Sequence, residues 1–401
     1  NGRYADGYNI TSEATINRVY IGYVGGGDTK KGGTRYIDNV KYMNGTSFFP
    51  SICRGGAGMN TLVTSFVHSD NHTPALNNPV RFLYSTDNGA TWTYFYTFQD
   101  ASNMNYCYAV RWCEARSSWY FFIHQRRDAS SEYPHEKVYE CTSLTTPTVN
   151  LIRDYDSDPD YLNIYPTRKL DGDGNLYVGL EYFRLNNWNS TYNYLMSARF
   201  NFATGALTQK VKFAQYGDVT AYPQVGEPQI WHNDSGEQCA MIRHVERVVY
   251  TSVPRFKISA DNGATAWIAN TLYNPGTDWG GHQAIMRAFV FNSFAWWQGR
   301  DDHGLTDTSK WTTFVLKTPT EKDSNNNIPF ISEMWWEGMG DTGNGDIDAN
   351  PAPGQDGLLY LDYVSDMFGV AFFKRLYASG AAYSLWWERQ RKRDRAAGRI
   401  R

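Results

Sequence analysis

The sequence lacks several features that would fix its class at once. No stretch approaches the ~18 consecutive apolar residues of a membrane-crossing helix, so no spanning helix is expected. The amino terminus, NGRYADGYNI, has no basic segment followed by an apolar one; either there was never a signal peptide or it has been trimmed. Cysteine is scarce: Cys53, Cys107, Cys113, Cys141 and Cys239 make an odd set of 5 with no CxxC pair. That argues against a disulfide framework and a zinc site, and leaves them as small core residues. Charge of one sign is also missing. A formal net charge of -3 over 401 residues gives no electrostatic case for nucleic acid or for a membrane surface. Helical periodicity is hard to find before the C-terminal tail.

Aromatic residues are abundant instead. Phe, Trp and Tyr make up 16% of the chain, with 29 Tyr and 14 Trp. Such residues favour strands, and Tyr and Trp also suit stacking on sugars, since each joins a flat apolar face to a polar tip. Short apolar runs separated by Gly, Asn and Asp clusters read as an all-β protein. One unit of strand, polar turn, strand recurs in FFPSICRGGAGMNTLVTSFVH (Phe48 to His68), YAVRWCEARSSWYFFIHQ (Tyr108 to Gln125) and YPTRKLDGDGNLYVGLEYF (Tyr165 to Phe183). It returns in EPQIWHNDSGEQCAMIRH (Glu227 to His244), HQAIMRAFVFNSFAWWQGR (His282 to Arg300) and NPAPGQDGLLYLDYV (Asn350 to Val364). A recurrence of roughly 50 to 60 residues is that of propeller blades. The spacing predicts about six blades, each a four-stranded antiparallel sheet. Residues 1–40, rich in Gly, are expected to supply a closing strand or lid, 41–375 the propeller, and 376–401 a basic, Trp-bearing tail. That tail reads as solvated, or as the start of an oligomerisation stalk.

Two turns carry a sharper pattern. STDNGATW (Ser85 to Trp92) fits Ser-x-Asp-x-Gly-x-x-Trp, and SADNGATAW (Ser259 to Trp267) fits with one extra residue. Asp and Asn close such a turn on the backbone, Gly supplies a positive φ, and Trp packs back on the blade. The pattern resembles the Asp box of sialidase-type β-propellers, a mark of fold rather than of chemistry.

Propeller sites form at one end of the central axis. Aligning the units by their second strand makes His68, His124, Phe183, Arg243 and Arg300 comparable exit residues. Glu227 opens its unit, and the hairpin returns Arg243 to the same end. An ion pair holding that hairpin is one reading of the two charges, and Arg300 has Asp301, Asp302 and Asp70 as alternative partners. The order Glu227, Gly236, Arg243 and a following Asp-box turn resembles the sialidases. There the resemblance implies a Glu that polarises a tyrosine nucleophile and Arg residues, here Arg243 and Arg300, that clamp a sugar carboxylate. Guanidinium suits that task because it pairs bidentately and stays charged.

The departures are informative. Exo-sialidases open their first blade with Tyr/Phe-Arg-Ile-Pro; here Phe48, Phe49 and Pro50 stand in that stretch. His68, Asp70 and His72 occupy the place of the family's acid/base Asp, and GDIDANPAP lacks the family's Tyr. This combination resembles the phage endosialidase tailspikes, and implies an endo-acting hydrolase of an acidic, sialic-acid-like bacterial capsule. By that resemblance the protein is a homotrimer on the virion tail, or secreted, acting outside the cell on an acidic polysaccharide. No cofactor and no metal are implied. Glu227 is the acid/base candidate, His68 a second one, and Tyr42 a nucleophile or a ring-orienting hydroxyl. Asp70, His72, His124 and Trp297 are candidate substrate contacts. Two other readings stay open: a propeller lyase on a uronic-acid glycan, using His68 or His124, Tyr42 and Arg243, and a non-catalytic glycan-binding tail adhesin.

Overall fold

The computed structural model describes most of residues 51–242 with their side chains, apart from loops at 69–75, 88–90, 127–133, 156–160, 184–192, 216–223 and 233–235. Outside that stretch it describes strands, and of their side chains only that of Ser259, which is buried. Among the described residues the chain is all-β, with single helical turns at Ala57–Met59 and Glu114–Arg116.

The strands form a β-propeller. Its first blade is β3 (Ser47–Gly55), β4 (Thr61–His68), β5 (Val80–Ser85) and β6 (Thr93–Phe98). The second is β7 (Met104–Cys113), β8 (Ser118–Arg126), β9 (Pro134–Cys141) and β10 (Val149–Asp154). The third is β11 (Tyr161–Leu170), β12 (Leu176–Phe183), β13 (Tyr194–Phe200) and β14 (Leu207–Gln215). The fourth is β15 (Gln224–His232), β16 (Gln238–Val245), β17 (Ser252–Ser259) and β18 (Ile268–Ala269). The fifth is β19 (Gln283–Phe291), β20 (Phe294–Asp301), β21 (Thr312–Pro319) and β22 (Ser332–Glu337). The sixth sheet holds three strands rather than the expected four: β23 (Gly345–Ile347), β24 (Gly357–Ser365) and β25 (Phe368–Leu376). Every pairing is antiparallel, and the strands of each sheet follow chain order. The first strands touch in the cyclic order β3, β7, β11, β15, β19, β23 and back to β3, which closes a ring around an axis. Strands β1 (Arg18–Ile21) and β2 (Arg35–Asp38) pair with each other, and β2 lies against β25.

Sequence pattern explains the radial order. The second strand of a blade has neighbours on both edges and both faces, so it reads as a continuous apolar run; all but the last residue of SWYFFIHQR in β8 is buried. Outer strands are mostly exposed or half-buried, as TYFYTF of β6 and VNLIRD of β10 are. The core lies between blades. One cluster joins the first to the second blade, with the Phe82 and Phe121 rings 4.3 Å apart. Another joins the second to the third through Phe122, Val138, Val178 and Phe200, and a third lies between Leu195, Ile230, Ala240 and Ile242. Each buried Phe or Leu contributes about 1.5–3 kcal/mol, so the blade faces dominate cohesion. All five cysteines are buried in described residues. Between β5 and β6, Asp87 Oδ1 accepts from Ser85 Oγ and Thr91 N, each at 2.7 Å, which closes the first of the two sequence-marked turns.

The first strands of the first five blades share one irregularity. Phe48 pairs with Val67 and Ser51 with Ser65, leaving Phe49 and Pro50 opposite a single residue. Tyr108 is extra between Cys107 and Ala109. Residues 167–169 intervene between Pro166 and Leu170, 227–228 between Gly226 and Gln229, and Met286 between Ile285 and Arg287. These bulges recur every 59 or 60 residues, from 49 to 108, 167, 227 and 286. A bulge frees backbone groups that must find partners elsewhere. Arg111, buried on β7, meets that need at the third blade: Nε donates to Thr167 O and Nη2 to Pro166 O, both at 2.6 Å.

Candidate active site

The bulge of β15 sets the centre of the site. Gly226 pairs with Arg243, and Glu227 follows with φ 47, a left-handed backbone that side-chain-bearing residues adopt at a cost of about 1–2 kcal/mol. Non-glycine residues held there cluster at functional sites. Glu227 keeps partial exposure.

Against this bulge stands a second acid, Glu181, on β12 of the neighbouring blade, buried at 4% exposure. It lies opposite Asn163 in the ladder of β11 and β12. Asn163 Nδ2 donates to Glu181 Oε2 at 3.1 Å, and Tyr165 Oη donates to the same oxygen at 2.8 Å. Asn163 and Tyr165 are two apart on β11, so strand alternation puts both on the face that carries Glu181. The backbone N–H of Glu227 donates to the Glu181 carboxylate as well. A Cβ at position 226 would stand 2.6 Å from Glu181 Oε1, which explains why glycine is found there. Burial raises the proton affinity of Glu181, and the charge of Glu227 raises it further; the three donors oppose this without cancelling it. Burial, and then the charge of Glu181, push the Tyr165 phenol well above its ordinary range.

A stack of rings extends from Tyr165 into the second blade. Tyr108, the bulged residue of β7, lies 5.6 Å from Tyr165 with ring planes 20° apart. On Tyr108 stacks His124, at 4.7 Å and 14°. His124 Nδ1 lies 2.9 Å from Glu136 Oε1, and both side chains are fully buried. Burial holds the imidazole far below its usual range and the Glu136 carboxyl far above its own. Burial thus disfavours the charged form of either partner in this hydrogen bond.

The residues singled out from sequence fall as follows. His68, at the end of β4, pairs with Ser47; Arg243 pairs with Gly226, and Arg300 on β20 pairs with Ala284. All three thus share the leading end of their blades' first strands with Glu227, the backbone arrangement expected of the hairpins. Their side chains lie outside the described residues. Trp297 pairs with Ala288, further along β19. Tyr42, Asp70 and His72 lie outside the described residues. His124 is enclosed between Tyr108 and Glu136 instead of lining an open groove. Glu181, Asn163, Tyr165 and Tyr108 were not foreseen. Glu181 had a signal, an acid inside the apolar strand LYVGLEYF, two residues before the Phe183 taken as the exit of that strand. Among the described residues no group of three His, Cys, Asp or Glu side chains could hold a metal ion.

No family model and no curated protein match the chain. Solved structures do resemble it in fold. The Hadza microbial sialidase Hz136 superposes with a TM-score of 0.58 over 88% of this chain and 71% of its own, at 10% identity. The intramolecular trans-sialidase from Ruminococcus gnavus, in complex with oseltamivir carboxylate, gives 0.58 over 82% and 94% at 10% identity. The Penicillium chrysogenum alpha-L-arabinanase complexed with arabinobiose gives 0.55 over 92% and 99% at 12% identity. The shared property is the propeller fold.

Proposed function

We propose that this propeller is a glycoside hydrolase that cuts an acidic polysaccharide within the chain. The observation that carries the reading is the carboxyl pair at the β15 bulge: Glu181, buried and held by Tyr165, Asn163 and the Glu227 N–H, beside Glu227 at a partly open backbone turn. Glycosidic cleavage passes through an oxocarbenium-like state and needs a proton for the leaving oxygen, and a carboxyl with a titrating neighbour can be tuned to give it. Glu227, the more exposed, contacts substrate as the acid/base. Glu181 acts through it: its carboxyl fixes the bulge and places a second titrating group beside Glu227. Similar folds in proteins named sialidase and arabinanase support sugar chemistry at this axis.

The acidic character of the glycan rests on Arg243 and Arg300. Their strands bring them to the leading end of two consecutive blades, where two guanidinium forks suit one carboxylate. The endo mode, the homotrimer and the place on a phage tail outside the cell follow from the endosialidase-like motif pattern alone.

Incubation with a panel of bacterial capsular polysaccharides, with fragment length read on gels and by mass, tests the proposal. Shortened chains that vanish with Glu227→Gln are expected. Products absorbing as unsaturated sugars would make it a lyase; binding without cleavage would make it an adhesin.

A further inference from the structure

We infer that Tyr108 is a further catalytic residue of this site, a phenol that donates a hydrogen bond to an acceptor oxygen of the reacting sugar, and that His124 and Glu136 are its positioning pair. The inference rests on the hydrolase reading above and adds a substrate contact to it.

The first argument is placement. Tyr108 occupies in the second blade the bulge position that Glu227 occupies in the fourth. A bulge re-aims one side chain while the ladder on either side keeps its register. Two blades apart around one axis, the two bulges serve the same end of the ring. Their side chains sense each other, since the charge of Glu227 is among the influences that raise the Tyr108 phenol.

The second argument is enclosure. The Tyr108 ring stacks on both His124 and Tyr165, yet the residue is half-buried and keeps some solvent contact. Burial pushes its phenol far up, with Arg126 opposing and Glu136 and Glu227 adding to the rise. The hydroxyl therefore stays protonated, which suits a donor and not a nucleophile. Neutral donors pre-aimed in a dry site are effective because they need no reorganisation during reaction.

The third argument is rigidity. The phenol stacks on His124 at 14° and on Tyr165 at 20°, and the latter is hydrogen-bonded to Glu181. His124 is in turn fixed by Glu136 across a 2.9 Å contact, and Tyr106 packs against the imidazole at 5.7 Å. A buried imidazole hydrogen-bonded to a buried carboxyl is a costly way to support a ring that an apolar side chain would support as well. It does fix the ring plane of His124, and through the stack that of Tyr108.

The experiment compares wild type with Tyr108→Phe on whichever capsule the wild type cleaves. Loss of one pre-aimed donor is expected to lower kcat on the order of a hundredfold, with KM changed less than about twofold and the melting temperature retained. Glu136→Gln, which keeps a hydrogen bond to His124, is expected to retain most of kcat, while His124→Ala is expected to lose kcat much as Tyr108→Phe does. An active wild type with an unchanged kcat in Tyr108→Phe overturns the inference and leaves the hydrolase reading standing, as does an effect confined to KM. A wild type inactive on every capsule sinks the hydrolase reading and this assignment with it. If Tyr108→Phe does not fold, 3-fluorotyrosine at position 108 keeps ring and hydroxyl while strengthening the donor; an unchanged kcat there also overturns the inference.

Discussion

The carboxyl of Glu181 rests on the backbone of Gly226 so closely that a methyl group there would stand 2.6 Å from Oε1. Two residues in different blades, 45 apart in sequence, thus share one contact that no side chain larger than hydrogen allows at position 226. Its neighbours in the chain, Glu227 and Pro228, form the bulge.

Gly226→Ala is therefore expected to act at a distance. The new methyl must displace the Glu181 carboxyl from Tyr165 and Asn163, or displace β15 itself. Overpacking of this kind costs about 1–3 kcal/mol. Denaturant unfolding should record that loss, and activity should fall further than the loss of folded protein explains. Unchanged stability would show that Glu181 can retreat freely, and that the contact is incidental.

Glu227→Gly tests whether strain is stored for function. Its φ of 47 is costly for glutamate and free for glycine. The variant is expected to gain about 1 kcal/mol of stability, less a few tenths for the added freedom of the unfolded chain, and to lose activity. Glu227→Ala keeps the strain and should lose activity without that gain. A glycine variant less stable than the alanine variant would contradict the conformational argument. Activity surviving in either would remove Glu227 from the chemistry.

Glu181→Gln tests the electrostatics through pH. The folded protein holds the Glu181 proton more tightly than the unfolded chain does, whose carboxyl has the ordinary value of 4.5. Above that value the folded state binds more protons than the unfolded one, so stability from this group falls as pH rises, by up to about 1.4 kcal/mol per unit of displacement. Glutamine does not titrate. Against wild type, its melting temperature should therefore improve as pH rises above 4.5, until Glu181 has titrated in the folded state, whatever constant offset the lost carboxylate contacts impose. Parallel curves for the two proteins would mean that Glu181 is not held above its ordinary range.

The fold was largely legible because propeller blades repeat, and repetition shows in a single sequence. Hairpins such as Phe48 to His68 and Glu227 to His244 were marked by apolar strands around polar turns, and they fold as marked. The sixth unit was harder to place, since its short β23 carries no alternation to read. Glu227 stood out as a charge at the start of its repeat unit, although in the fold it lies inside β15 at the bulge. Glu181 did not, because its meaning lies across a blade boundary: nothing in LYVGLEYF announces a glycine in the next blade. The bulges were invisible for a related reason. A register shift is a property of a pair of strands, and neither strand carries it in its composition. His124 read as a strand-end histidine because its partner, Glu136, comes from the next strand across and Tyr108 from the one before.

The 59–60-residue recurrence of the bulges bears on how such a protein changes over time. In the first five blades the ladder on both sides of the bulge is kept by backbone pairing, while the bulge itself stands out of register. Phe49, Tyr108, Thr167, Glu227 and Met286 fill equivalent places with unlike chemistry. Substitutions at these positions can change the axial end of a blade while the flanking ladder keeps its register.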